Sequence, residues 1–346
     1  MGLEYHDSPQ FAIPNPQSAI GESAIRNPQS EIGKSAIRNP KSGNSQSAIR
    51  NPKSGNSQSL PPLEISEEMD SLLRLALSED VGTGDVTSQA TIPESQQGRG
   101  FIFSKSPGVL CGVTVAERLM RLVDPRVETR FLAADGEMIE AGRHIARLRG
   151  SLRSILTAER VMLNFLQRLS GTATMTRRYV DKLRAAGSAI EIVDTRKTTP
   201  LWRRLERHAV AAGGGVNHRF ALYDMYLVKN NHADAAGGVA QALRRVHEHN
   251  AGRGLPVAVE ARNLDEVRAV LECGADLILL DNMPLPEIRE AASLIANRAQ
   301  TEITGGVTLE NLEAYAGLPV DRISVGALTH SAPALDIALH VDSAEW

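Results

Sequence analysis

Past Ser188 the chain repeats one unit: a short apolar run, a polar tip, then a stretch of helical periodicity. The apolar run at 190–193 ends in Asp194-Thr195-Arg196-Lys197, and the run at 225–228 ends in Lys229-Asn230-Asn231. The runs at 257–259 and 277–280 end in Glu260 and in Asp281-Asn282. Glu302-Ile303 leads into Thr304-Gly305-Gly306, and the run at 323–325 into Gly326-Ala327. Helices are predicted between them near 201–212, 235–249, 263–273, 285–297, 308–316 and 333–341; Asn263 and Gly274 cap one of these. Alternating strand–helix units imply a parallel sheet with right-handed crossovers. About six strands in about 150 residues make a small or open barrel, whose functional residues gather at the carboxyl ends of the strands.

Before this region the pattern is different. Ser66 is a good N-cap, with Glu67 and Glu68 in the first turn and an apolar stripe at Met69, Leu72, Leu73 and Ala76. The acidic glycine loop at 79–87 lacks calcium-loop spacing and reads as a structural turn. Short strands set off by Gly and Pro follow at 101–103, 108–112, 127–132 and 144–148, with a helix at 116–123. A helix from Thr157 to Leu169 carries too many apolar residues for one face and is expected to be buried between domains or subunits. The predicted organisation is an N-terminal α/β sandwich over 61–170 and an open parallel α/β barrel over 171–346, with the last helix packing back on the first domain.

Residues 1–60 follow another rule. SAIRNP recurs at 23–28, 35–40 and 47–52, and Asn15, Asn27, Asn39 and Asn51 keep the same twelve-residue step. With one Ile as its only sizeable apolar side chain, the unit cannot offset its chain entropy, so disorder is expected. So regular a repeat suggests tandem duplication of coding DNA or an over-extended start. The net charge of −3 gives no pull toward nucleic acid or anionic membrane. No run reaches the ~18 apolar residues of a membrane span. The start lacks a signal-peptide pattern, and two cysteines make no disulfide framework. A soluble cytoplasmic protein is expected.

Composition therefore leaves the strand tips as the source of function. Arg196, Lys197, His218, Arg219 and Lys229 supply positive charge, and Glu260 and Asp281 supply two carboxylates from successive strands. The tips at Thr304-Gly305-Gly306 and Ser324-Val325-Gly326-Ala327 come from the last two strands, where barrels often bind phosphate. Two carboxylates beside a phosphate site suit Mg²⁺, ribose hydroxyls or a positively charged sugar carbon. More cations than one phosphate needs imply a second anionic ligand. Taken singly, each piece has a plainer reading: ion pairs for Glu260 and Asp281, a tight turn for Gly305-Gly306, a flexible loop for 213–215. Arg203, Arg204 and Arg207, with Glu206, read as a solvated helix face.

The motifs at these positions resemble the quinolinate phosphoribosyltransferase family, the carboxylating nicotinate-nucleotide pyrophosphorylases. They are EDVGTGDVTS at 79–88, AERVMLNFLQRLSGTAT at 158–174, DTRKTTP at 194–200, GGGVNHR at 213–219, YLVKNNH at 226–232, LLDNM at 279–283 and the TGGVT and SVGALTHS tips. The resemblance covers about residues 63–341. It implies a reaction joining quinolinate to phosphoribosyl pyrophosphate with Mg²⁺, releasing pyrophosphate and CO₂ and forming nicotinate mononucleotide for NAD synthesis. It also implies a homodimer or a dimer-based hexamer, with Arg160 of the partner subunit entering each site, and no nucleic-acid or membrane partner. Quinolinate would face Arg160, Arg196, His218 and Arg219. Lys197, Lys229, Glu260 and Asp281 carry the catalytic roles, with the two acids near ribose and Mg²⁺. Thr304, Gly305, Gly306, Gly326 and Ala327 match the 5′-phosphate site.

The departures from the family pattern are few. Leu201-Trp202 stands where a glycine is usual and is expected to alter one loop. Arg262 replaces a commoner acid and adds positive charge beside Glu260, and Thr304 replaces a serine. Three rival readings remain: a related phosphoribosyltransferase acting on another aromatic acid, a barrel enzyme that binds a phosphorylated substrate without ribosyl transfer, and a non-catalytic sensor of NAD precursors.

Overall fold

The computed structural model describes residues 60–342; the repeat at 1–60 lies almost entirely outside them. Ser66 caps α1 (Glu67–Val81), its Oγ accepting from the Met69 N–H at 3.3 Å. The acidic loop contributes a second short helix, α2 (Val86–Thr91). Asp85 caps it, accepting from the Ser88 N–H at 2.9 Å.

Then come β1 (Gln97–Ser104), β2 (Gly108–Val109), α3 (Val113–Val123), β3 (Glu128–Phe131), β4 (Met138–Ile139) and β5 (His144–Ser151). The next element, α4 (Leu152–Ala185), is a single helix of 34 residues. It starts five residues before the expected Thr157, because Ser151 is the true cap and accepts from the Ser154 N–H at 3.3 Å. Its first half packs into the core shared with α1 and α3, and Tyr179, Val180 and Leu183 pack into a second core. One helix thus runs through both cores, and no linker separates the domains.

The second core surrounds the predicted strand–helix repeat. It comprises β6 (Glu191–Val193), α5 (Arg203–Ala212), β7 (Tyr226–Val228), α6 (Asn230–Ala236), α7 (Val239–Asn250), β8 (Val257–Ala261), α8 (Leu264–Cys273), β9 (Leu277–Asp281), α9 (Leu285–Ile295), β10 (Gln300–Thr304), β11 (Arg322–Ser324) and α10 (Ala327–His330). The six strands are parallel, in the order β6-β11-β10-β9-β8-β7. β6 and β7 are edges and share no ladder, so the barrel is open. The predicted helix near 308–316 is a short 3-10 turn, Leu312–Tyr315.

The segment expected as a final helix is a strand, β12 (Ile337–Asp342). Ile337, Leu339 and Val341 recur at every second position, the period of a strand. β12 pairs antiparallel with β1, Leu339 opposite Ile102, and completes the first sheet in the order β12-β1-β5-β3. The chain end does return to the first domain, as an added strand.

Its approach is held against α4. The Leu335 N–H donates to the Gln167 carbonyl at 2.9 Å, and Arg168 donates to the carbonyls of Thr329 and Ala332, both at 2.7 Å. Gly171 makes this contact sterically permissible, since a Cβ there would lie 2.1 Å from the Pro333 carbonyl oxygen. Gly171→Ala is therefore expected to lower unfolding stability by about 1–3 kcal/mol, measured by urea denaturation. A loss below a few tenths would show that 332–336 has room to retreat.

Candidate active site

The carboxyl ends of the six parallel strands enclose a cavity of about 240 Å³. Its walls include Thr195, Arg196 and Lys197 after β6, His218 and Arg219, and Lys229 after β7. Glu260 on β8, Asp281 on β9, Glu302, Thr304 and Gly305 on or after β10, and Ser324 on β11 complete them. Larger hollows of about 670 and 910 Å³ lie elsewhere, but this one collects the strand tips. Of the residues predicted from sequence, Arg196, Lys197, His218, Arg219, Lys229, Glu260, Asp281, Thr304 and Gly305 share this wall. Gly306 follows Gly305 in the left-handed region, and Gly326 abuts Lys197: a Cβ on it would sit 3.0 Å from Lys197 Cδ. Ala327 begins α10 directly after it. Arg160 is not in the cavity of its own chain; its side chain is exposed on α4, with Glu159 3.8 Å away.

Strand order sorts the charges. The acids stand on three adjacent central strands, β10, β9 and β8, whereas the bases stand on the two edge strands and on the 218–219 segment between them in the chain. The cationic half, built from the edges, meets the acidic half, built from the centre, where Lys229 lies 3.4 Å from Glu260 and His218 3.4 Å from Glu302.

A buried lattice holds the cationic half together. The Val216 N–H donates to the Ile192 carbonyl at 2.8 Å, and the Asp194 N–H donates to the Val216 carbonyl at 3.1 Å. The Asp194 carboxylate is fully buried and accepts from the His218 N–H at 2.7 Å. Arg207 lies 3.6 Å from it and donates to the His218 carbonyl at 2.6 Å. Arg207 is thus a buttress rather than a solvated side chain. Glu206 is fully buried as well, accepting from the Thr199 N–H and hydroxyl at 3.0 and 2.7 Å. The sequence pattern puts both on a solvated face, because polar spacing does not reveal which side of a helix meets a loop. The glycine run also has a packing reason: a Cβ on Gly213 would meet the Ala173 carbonyl at 2.4 Å.

Arg219 is nearly buried and donates to the Met225 carbonyl at 3.0 Å. Burial lowers its pKa from the ordinary arginine value, and the positive charge of Arg196 lowers it further. Arg196 and Arg219 line the same small cavity, so an anion bound there would be stabilised by both charges. On the acidic side, Asn230 bridges the carboxylates: its backbone N–H donates to Glu260 at 3.1 Å and its side-chain amide to Asp281 at 2.8 Å. Asn282 donates to the other Asp281 oxygen at 3.0 Å, and Lys229 lies 3.4 Å from Glu260. Gly305 lets the tip pass over Asn282, where a Cβ would come within 2.3 Å of the amide oxygen.

Ser324, in the tip read as a phosphate site, does line the cavity, whereas Asn230, Asn282 and Glu302 carry no role in the sequence reading. The two asparagines adjoin charged tips, which is their one legible signal.

The departures resolve locally. Leu201 adopts φ +66°, a left-handed conformation that glycine takes without strain, with its side chain exposed. Trp202 stacks on Phe165 with ring centroids 4.4 Å apart. Arg262 does not add charge beside Glu260, because its guanidinium is turned to Asp234 at 2.9 Å and to Glu266. Away from the cavity, Cys111, Asp135 and His208 bring possible ligand atoms within 4.8 Å of one another. Asp135 is already committed there: one oxygen accepts from the Gly112 and Val113 N–H groups, and the other lies 3.0 Å from His208. Burial pushes the Cys111 thiol up. The cluster caps α3 and ties it to α5.

The family model for the quinolinate phosphoribosyl transferase N-terminal domain matches residues 85–170, and that for the C-terminal domain matches residues 172–340. The chain belongs to the quinolinate phosphoribosyltransferase family. It is 42% identical over 274 residues to the probable carboxylating nicotinate-nucleotide pyrophosphorylase of Bacillus subtilis, covering 79% of this chain and 93% of that protein. It is 39% identical over 300 residues to the chloroplastic enzyme of Arabidopsis thaliana, covering 82% of this chain and 85% of the relative. The solved nicotinate-nucleotide pyrophosphorylase of Francisella tularensis superposes with a TM-score of 0.77 at 36% identity, over 83% of this chain and 100% of that one. As a member the chain is a pentosyltransferase, forming nicotinate mononucleotide from quinolinate and phosphoribosyl pyrophosphate with loss of CO₂. Among the described residues no helix is long and apolar enough to cross a membrane.

Asp194 yields a prediction. Burial raises its pKa from 3.8 to about 6, against the opposing charge of Arg207 and the His218 N–H bond. A raised folded-state value favours the folded protein below the unfolded pKa, and that contribution disappears as pH rises through the folded one. From pH 4 to 7 the wild type should lose roughly 2–3 kcal/mol of unfolding free energy relative to Asp194→Asn, measured by urea titration at each pH. A pH-independent difference between the two proteins would contradict this.

Proposed function

We propose that the transfer takes place in the strand-tip cavity, with the dicarboxylate on the cationic half and the phosphoribosyl donor along the acidic half. The separation of charges by strand order carries this reading. Arg196 and Arg219 take the pyridine carboxylates, and Lys197 and Lys229 take the donor's remaining negative charge. Thr304, Gly305, Gly306, Gly326 and Ala327 hold the 5′-phosphate.

Glu260 and Asp281 face the ribose and its metal. The donor set fits Mg²⁺, because Asn230 draws two carboxylates to one place and Mg²⁺ is commonly held by one or two carboxylates together with substrate phosphates. When bound, the ion would neutralise charge on the departing pyrophosphate.

The protein's own part is positioning and electrostatics. The bond from the sugar carbon to pyrophosphate breaks, and positive character develops there beside Glu260 and Asp281. The pyridine nitrogen attacks that carbon. The cationic ring then stabilises the electron pair left on its 2-carbon as CO₂ departs, and a proton takes that position.

Arg160 of the partner subunit completes the cationic half in a homodimer or dimer-based assembly. Its exposure, and its place outside the wall of its own cavity, support this, as do the exposed apolar side chains of Leu201, Leu222 and Tyr223. With both described cysteines free, the cytoplasm is the proposed compartment.

The test mixes purified protein with quinolinate, phosphoribosyl pyrophosphate and Mg²⁺ and follows both products. Nicotinate mononucleotide and CO₂ should appear in step, with kcat falling roughly 100-fold or more in Glu260→Ala or Asp281→Ala. Pyrophosphate release with nicotinic acid but not with quinolinate would instead assign the enzyme to a monoacid.

A further inference from the structure

Glu302 lies on β10 at the wall of the cavity, fully buried, and neither carboxylate oxygen has a hydrogen-bond partner among the described residues. Its register partner on β11, Arg322, donates instead to Gln300, and its partner on β9 is Leu279. A buried carboxylate without donors is strongly unfavourable, so its nearest donor matters. Within reach is the basic side chain of His218, whose Nε2 lies 3.4 Å from a Glu302 oxygen.

The other ring nitrogen of His218 is already assigned. The Arg219 backbone N–H donates to Nδ1 at 2.7 Å, so Nδ1 carries no proton and the ring proton sits on Nε2, facing Glu302. The His218 main chain is held at both ends, its N–H by Asp194 and its carbonyl by Arg207. Both nitrogens of the imidazole therefore turn to the protein, although the ring lines the cavity. The contacts run from Glu302 through the His218 ring to the Arg219 backbone, and on to a guanidinium in the cationic half.

We propose that Glu302 is a positioning residue for the transfer. As acceptor for His218 Nε2–H it fixes the imidazole, which fixes the Arg219 backbone and so the aim of the Arg219 guanidinium at the dicarboxylate. The identity of that ligand rests on the functional reading above; the chain of contacts does not. A separation of 3.4 Å is long for a hydrogen bond, and such contacts tighten when an active site fills.

Histidine-selective ¹⁵N NMR tests the contacts without turnover, with His218 assigned through the loss of its signals in His218→Gln. The wild type should show a protonated Nε2 and an unprotonated Nδ1. Glu302→Leu should lose that single tautomer, whereas Glu302→Gln, which keeps an acceptor oxygen, should retain it. In steady-state kinetics Glu302→Leu should raise KM for quinolinate roughly ten-fold and leave KM for phosphoribosyl pyrophosphate nearly unchanged, with Glu302→Gln close to wild type. A wild-type His218 protonated on Nδ1 overturns the proposal even if the leucine variant fails to fold. So does a Gln variant that behaves like Leu, or an equal rise in both KM values. A wild type inactive on quinolinate would sink the functional reading and leave the NMR outcome to decide the contacts.

Discussion

An open parallel sheet leaves two edge strands without a common ladder, and here the cationic half of the site is built at those edges. What draws it together is the return of residues 213–219 onto β6. Two backbone hydrogen bonds lay Val216 beside Ile192 and Asp194, and the buried Asp194 carboxylate then takes the His218 N–H. Arg207 locks the same turn from α5. Without this knot Arg219 would have no fixed place relative to Arg196. Burying a carboxylate there is unfavourable, as its raised pKa records, and the return is the concentration of positive charge in a small cavity.

The rest of the fold gives that cavity a rigid base. α4 passes through both cores, so the first domain cannot move as a separate body without breaking a continuous helix. The chain end crosses back over α4 at Gly171 and joins the first sheet as β12. The acids come from the sheet's central strands, where the ladder is continuous on both sides. The bases come from edges and loops, where a side chain can settle on an incoming anion.

Much of this is legible in the sequence, because charged residues that follow apolar runs have one place to go in a parallel sheet. The tips Arg196, Lys197, Lys229, Glu260, Asp281 and Thr304 are readable in that way, and they share one cavity. Glu302 is not. It sits inside its strand between Thr301 and Ile303, where a lone acid looks like an ordinary outward-facing position. The roles of Glu206 and Arg207 depend on which loop packs against α5, which periodicity does not encode. β12 is hard to read because its two-residue alternation spans only Ile337–Asp342. The start of α4 is obscured in the sequence because its cap, Ser151, is also the last residue of a strand.

One buried arginine, Arg219, and one half-buried, Arg196, await two carboxylates. Calorimetric titration of quinolinate and of nicotinate into the protein, without the phosphoribosyl donor, tests this most directly. Quinolinate should bind at one site per chain and roughly ten-fold or more tightly than nicotinate, because the second carboxylate meets a second guanidinium in the same cavity. Equal affinities for the two acids would mean that Arg196 and Arg219 do not act as a pair on the substrate, and the account of the site would fail.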